Sequence, residues 1–539
     1  MRIRRSRLAG VALIAAASLT LAACGSSNDD SKPGGDKTNA VITAFGTEPQ
    51  NPLVTTNTNE VGGGNIIDLI YAGLISYKAD GSQENEVAES ITSDDNKVWT
   101  VKLKDWKFSD GTAVTAESFV KAWNYGATAK NAQLSAYFYY PIEGTDDEGA
   151  ILDKGTEMSG LKVVDDKTFT ITLKQAESDF PLRLGYSAYY PLPDSAYEDM
   201  DAFGKAPIGN GPYKLEKWEN NVQAAMVPNK EYKGVRPAKN GGVTFKFYTN
   251  PDAAYSDVQA GNLDVLDQAP PSALTTFRDD KTVQAFEEPG SVSGSFTIPE
   301  SLKGFSGEEG NLRRQALSMA IDRKEITEKL FDGTRSPATD FSSPLMPGYT
   351  DKIAGNEVLK FDADAAKKKW AEADAIAPFT GKFQLAYNGD GAGNKEWVEA
   401  LTNQLKNNLG IDAQPKAYPT FSELRTKVTD RTIGTAFRTG WQPDYPSISN
   451  YLGPLYGTGA GSNDGDYSNK AFDALLTKAA GAQNDDDRYQ AFADAQAILF
   501  KDLPAIPLWN TNVAAVAAIG VKNVEFNWQN KPEYQNITK

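Results

Sequence analysis

Apolar positions along this chain recur at two spacings, every second residue in some segments and every third or fourth in others, and the switches between them outline alternating strands and helices. Val41 to Phe45 reads as a first strand. Asn65 to Ser76 reads as a helix, with Ile66, Ile67, Ile70 and Leu74 along one side. Between them, Glu60-Val61-Gly62-Gly63-Gly64 suits either a close backbone approach or a flexible loop. Trp99, Val101 and Leu103 alternate with Thr100, Lys102 and Lys104, a half-buried strand running into the turn Ser109-Asp110-Gly111. Thr115 stands as N-cap to a helix carrying Phe119, Val120 and Trp123, and Phe169, Ile171 and Leu173 alternate as a further strand. The turn Ile208-Gly209-Asn210-Gly211-Pro212 leads into a strand from Tyr213 to Trp218; it lacks the lysine and the following helix of a phosphate loop. Helices are predicted over Asn311 to Arg323 and Lys324 to Phe331, through Trp397, Leu401, Leu405 and Leu409, and through Tyr489, Phe492 and Leu499, with a late strand at Val513 to Ile519. Arg313, Arg314 and Arg323 are expected on a solvated or salt-bridged face. The whole is mixed α/β.

The amino terminus follows a different pattern. Arg2, Arg4, Arg5 and Arg7 precede an apolar, small-residue run from Leu8 to Ala23, too short for a comfortable membrane span and in the form of a signal peptide over 1–23. Leu21-Ala22-Ala23-Cys24 resembles the bacterial lipobox, which implies lipidation of Cys24, the only cysteine. Residues 24–38 are polar and rich in Gly, Ser and Asp, the composition of a flexible tether. No second hydrophobic segment approaches 18 residues, so the expected anchor is lipid and the expected location is the outer face of the bacterial cytoplasmic membrane.

Composition narrows the chemistry. A mature chain of this length implies two to four structural units with room for a cleft. Removing the four signal arginines takes the formal net charge from −16 to −20, which disfavours nucleic acid as a partner. A single cysteine rules out an internal disulfide. The absence of histidine rules out Ser-His-Asp and Cys-His nucleophiles and the common zinc and nickel ligand sets, while carboxylate-only catalysis stays open. Asn388 to Gly393 with Glu399 mimics part of a calcium loop, but Ala392 stands where a ligand is required, and a strand-end turn is the expectation. Asn484 to Asp487 reads as the acidic start of a helix. No metal or other cofactor is expected.

Seven segments then carry a family resemblance in their joint order: Asn65 to Ile75, Trp99 to Thr115, Ile208 to Trp218, Gly261 to Gln268, Arg314 to Arg323, Gly440 to Tyr445 and Asp502 to Leu508. The chain resembles the extracytoplasmic solute-binding proteins of ABC importers, in the family that holds the oligopeptide- and dipeptide-binding proteins. The resemblance implies a two-lobed, type II periplasmic-binding-protein-like α/β fold with an extra domain inserted in the first lobe. By analogy, 39–63, 180–288 and 505–539 form lobe I, 64–179 the inserted domain and 289–504 lobe II.

It also implies a site. In peptide-binding members the aspartate of the motif Gly440-Trp441-Gln442-Pro443-Asp444-Tyr445 pairs with the ligand's α-amino group, the position of Asp444, while the backbone of Gly440, Trp441 and Gln442 runs beside the peptide as an added strand. Val61 stands near the segment that would pair from the opposite lobe. Arg438 stands where such binders place an arginine for the ligand carboxylate, and Arg431 is offset by about two positions from a second arginine of some members. Within the run Tyr137, Phe138, Tyr139, Tyr140, the tyrosines Tyr137 and Tyr139 are candidates to line side-chain pockets, against the alternative that the run is core. The expected role is a monomeric lipoprotein receptor, not an enzyme. It would close on oligopeptides and deliver them to an ABC permease with cytoplasmic ATPases. Two alternatives stand beside it: another solute of the family, such as a short oligosaccharide stacked on Trp441, and a secreted carboxylate-dependent hydrolase.

Overall fold

The structure is a computed structural model that describes residues 39–389 and 393–539. The signal segment, Cys24, the tether and Asp390 to Ala392 of the calcium-like turn lie outside the described residues.

Two long antiparallel strands, Val283–Thr297 and Ala505–Ala518, form the spine of the largest sheet. On one flank follow Ala436–Trp441, Phe383–Asn388 and Ala413–Tyr418; on the other, Val265–Leu266, Val41–Gly46, Gly242–Phe247, Gln223–Pro228 and Tyr213–Glu219. With Arg335–Pro337, which pairs alongside the Trp509 to Thr511 stretch, these make an eleven-stranded sheet among the described residues. Parallel pairs occur on both flanks, where helices supply the crossovers, and only the spine joins the two flanks edge to edge. Ala505–Ala518 is buried almost throughout, hence its near-continuous apolar run. Ile506, Leu508 and Trp509 pack with Phe296, Leu385 and Trp397, whereas Val516 and Ala517 pack with Ile42, Val243 and Val265. The strand therefore serves both cores, and the change-over falls within it. Opposite, the pairing slips between Glu288 and Val292 and again between Gly294 and Ser295. Gly290 has no room for a side chain at the first slip, because a Cβ there would lie 1.9 Å from the Thr511 carbonyl oxygen.

A separate antiparallel sheet of four strands, Ala88–Thr92, Val98–Leu103, Thr168–Thr172 and Leu161–Asp165, is covered by the helix Ala116–Ala127. Thr115 stands at its N-cap. Trp123 is fully buried there, edge-on to Phe169 at 5.7 Å and to Tyr189 at 5.1 Å between ring centroids.

Three sequence expectations change. The triple glycine is not a loop but the first turn of the helix Val61–Ile70, capped by Glu60, whose carboxylate accepts from the Gly63 N–H at 2.9 Å; the close backbone approach holds at Gly62, where a Cβ would lie 2.6 Å from the Thr47 carbonyl oxygen. That helix stops at Ile70 rather than Ser76. Buried Asn210 bonds both the N–H and the C=O of Ala72 at 2.9 Å, holding the chain extended, and Ile75–Tyr77 continues as a short strand. The glycines beside Asn210 are packing devices, since a Cβ on Gly209 would sit 1.9 Å from the Ile70 carbonyl oxygen. Finally, of the two alternatives for the arginines the salt-bridged one holds for Arg313, paired with Asp374 at 3.0 Å, and Arg314, paired with Glu300 at 2.7 Å, but these and Arg323 are buried rather than on a solvated face, Arg323 bonding the carbonyls of Pro507, Ser318 and Leu359. Periodicity marks the apolar stripe of a helix but not what its long cationic side chains reach.

Candidate functional site

The strand Ala436–Trp441 pairs with the spine through Gly440 opposite Gly294 and Trp441 opposite Ser293, and then leaves the sheet. Pro443, which has no N–H to donate, lies just beyond the last ladder pair. The loop that follows is held by one side chain. Asn450, buried at the start of the helix Ser449–Tyr456, accepts through Oδ1 from the Asp444 N–H at 2.9 Å and from the Trp441 indole N–H at 3.1 Å, and donates through Nδ2 to Asp444 Oδ2 at 3.2 Å. Burial pushes the Asp444 carboxyl up to about 6, against the opposing effects of the Asn450 bond and of the Arg183 charge. Among the described residues no cation lies within ion-pair distance of it.

Asp444 lines a cavity of about 220 Å³ together with Val61, Asp68, Tyr186, Gln442 and Trp528. Val61 is well exposed there, at 57%. A second cavity of about 270 Å³ is lined by Arg438, Gly440, Trp441, Phe421 and Arg425. The segment 438–444 thus joins two cavities, with a carboxylate at one end and a guanidinium at the other, separated by at most about 20 Å of extended chain. Arg438 donates to Asn388 Oδ1 at 2.8 Å and lies 5.8 Å from the Phe421 ring centroid. Gly440 is exposed on this face, and Gln442 on the first.

Other expected residues fall elsewhere. Tyr137 is 47% exposed and lines neither cavity. Tyr139 is a correction: its ring is fully buried against Tyr189 and its hydroxyl donates to the Ala188 carbonyl, so it is core. Arg431 is bound to Asp464 and Asp466 outside both cavities.

The sequence reading missed Asn450, Arg425 and Arg335. Arg425 lines the second cavity and pairs with Asp464 at 2.6 Å. Arg335 stacks its guanidinium 3.6 Å from the Phe331 ring centroid and 5.0 Å from that of Trp509, and among the described residues it has neither a carboxylate nor a hydrogen-bond acceptor. Burial and then the charge of Arg438 push it down to about 10. No local spacing announces these side chains, because their partners are set by how the chain folds back on itself, even for Asn450, whose partners Trp441 and Asp444 lie nine and six residues before it.

Comparison with known proteins places this geometry. Residues 83–463 match the family model described as bacterial extracellular solute-binding proteins, family 5 Middle. The oligopeptide-binding protein OppA of Bacillus subtilis (strain 168) is 27% identical over 527 residues, covering 94% of both chains. The periplasmic murein peptide-binding protein MppA of Escherichia coli (strain K12) is 28% identical over 453 residues, 82% of each. Among solved structures, the unliganded open form of the murein tripeptide-binding protein MppA superposes with a TM-score of 0.78 at 23% identity, over 93% of this chain and 97% of that one. Haemophilus influenzae OppA in complex with RPPGFSPFR gives 0.73 at 22% identity, over 93% and 99%. The fold is therefore the two-lobed α/β fold of the periplasmic binding proteins, and the chain belongs to the bacterial extracellular solute-binding proteins, family 5, a family of receptors rather than enzymes.

Proposed function

We propose that this protein captures short peptides by their free amino terminus between two lobes and presents the closed form to an ABC importer. Residues 39–63, 180–288 and 505–539 make one lobe carrying 64–179 as an insertion, 289–504 make the other, and a monomer is held to the membrane by a lipid on Cys24. The observation that carries the reading is Asp444: a half-buried carboxylate that lines the first cavity without a cationic partner among the described residues, at the end of an exposed backbone edge. An ammonium ion brought to it supplies the missing charge in a site that excludes water. The edge Gly440 to Gln442 offers main-chain hydrogen bonds that hold a peptide without reading its side chains. Arg438, which lines the second cavity, supplies positive charge at the other end for the ligand carboxylate, with Arg335 near enough for the two charges to act on each other.

A second reading, a non-peptide solute in the same cleft, has support from a relative named heme-binding protein A of Haemophilus influenzae, 25% identical over 536 residues. Mass spectrometry of what the natively purified mature domain releases on denaturation separates the two. Mixed short peptides with free amino termini support the proposal; one sugar, haem or sterol species overturns it.

A further inference from the structure

Asp179 is only 4% exposed, lines neither of the two cavities above, and reaches the Asp444 loop from far away in sequence. Its Oδ2 accepts from the Ser447 hydroxyl at 2.8 Å and from the Ser449 hydroxyl at 2.5 Å, 268 and 270 positions later. These serines flank the start of the helix Ser449–Tyr456, whose N-cap position, Ile448, offers no side-chain acceptor. The first N–H groups of that helix are already taken, Ser449 by the Ser447 hydroxyl at 3.1 Å and Asn450 by the Ser447 carbonyl at 3.1 Å, so Asp179 acts on this turn through the two hydroxyls it holds. The next residue, Asn450, is the one that holds Asp444 and the Trp441 indole.

A second strut runs alongside. Glu177 and Arg183 form a buried ion pair; Arg183 also donates to the Tyr140 hydroxyl at 3.1 Å and lies 4.8 Å from the centroid of the Tyr445 ring. The Ser178 N–H donates to the Ala480 carbonyl at 2.6 Å. Beside this seam is a cavity of about 360 Å³, lined by Asp179, Arg183, Tyr445 and Ser449 among others. On the cavity side directional polar bonds hold the loop, beside the apolar packing of Ile448 and Tyr451 on the other.

We propose that Asp179 is a positioning residue for the ligand's amino group: through Ser447, Ser449 and Asn450 it fixes the direction in which Asp444 presents its carboxylate. The proposal rests on the amine-anchoring reading given above. Its test is a double-mutant cycle read with two ligands, a free tripeptide and its N-acetylated form, alongside thermal melting. In Asp179→Ala the affinity for the free peptide falls about tenfold, the scale of one hydrogen bond to a charged group, while that for the acetylated peptide is unchanged. In an Asp444→Ala background the same change costs nothing further, because the group it positions is gone. Asp179→Asn, which keeps one acceptor oxygen, restores part of the discrimination. A purely structural role lowers the melting temperature and weakens both ligands alike, in either background; that result overturns the proposal. If Asp179→Ala does not fold, Ser449→Ala removes one of the two bonds with the acid intact, and the same comparison decides. A wild type that does not distinguish the two ligands overturns the amine reading and this proposal together, whereas a discriminating wild type whose Asp179→Ala variant discriminates just as strongly overturns this proposal alone.

Discussion

Asp444 holds its proton more tightly in the folded, unliganded protein than in an unfolded chain, about 6 against 3.8. Between those values the folded state keeps a proton that the unfolded state has lost, so the contribution to stability is fully present below 3.8 and is lost as pH rises through about 6. Asp444→Asn removes that penalty. Its unliganded melting temperature is expected to exceed that of the wild type at pH 8 and to converge with it near pH 4, in scanning fluorimetry across pH. Ligand binding has the opposite dependence, since only the ionised carboxylate pairs with an ammonium: peptide affinity weakens as pH falls through about 6. Arg335 gives a parallel prediction. Arg335→Met removes a charge without a partner among the described residues, so stability holds or rises, while the preference for a free carboxy-terminal acid over its amide falls about tenfold in calorimetric titration.

At the scale of elements, the turn Ile208 to Pro212 is a clamp on the first helix. Asn210 bonds both backbone groups of Ala72, and its carbonyl accepts from the Trp106 indole at 3.0 Å. Asn210→Ala leaves buried groups unpaired and is expected to cost about 2–4 kcal/mol in urea unfolding, with peptide affinity little changed. The motif was visible in the sequence as glycine punctuation, but its partner, some 140 residues away, was not. The same division holds elsewhere. Alternation at Trp99, Val101 and Leu103 and the stripe Trp397, Leu401, Leu405 match the strand Val98–Leu103 and the helix Asn394–Leu409, because each reports its own solvent exposure. The loop alternative at 62–64 failed because glycine alone favours a loop, whereas the Glu60 cap and the lack of space for a side chain at Gly62 and Gly63 depend on the folded surroundings. The contiguous stretch from Arg438 to Asp444 could be singled out in the chain; Asn450, Arg335 and Asp179 could not, since each reaches its place through a fold the sequence pattern does not spell out.

At the scale of the molecule, the spine strands cross from one core to the other and carry the pairing slips at Pro289 to Ser291 and at Gly294. Irregular pairing at the one sheet connection between the flanks concentrates bending there. Saturating peptide is accordingly expected to shrink the radius of gyration in small-angle scattering, with no change in mass. A ligand can shift that equilibrium only by its differential affinity for the closed form, so under the proposed function peptides that bind without closing the lobes are expected not to be transported.

The account stands most directly on the amine anchor, and calorimetric titration of the mature wild-type domain with one tripeptide and its N-acetylated twin tests it. Loss of one partner of a buried ion pair predicts an affinity at least about a hundredfold weaker for the acetylated form. Equal affinities for the two would contradict the role given to Asp444.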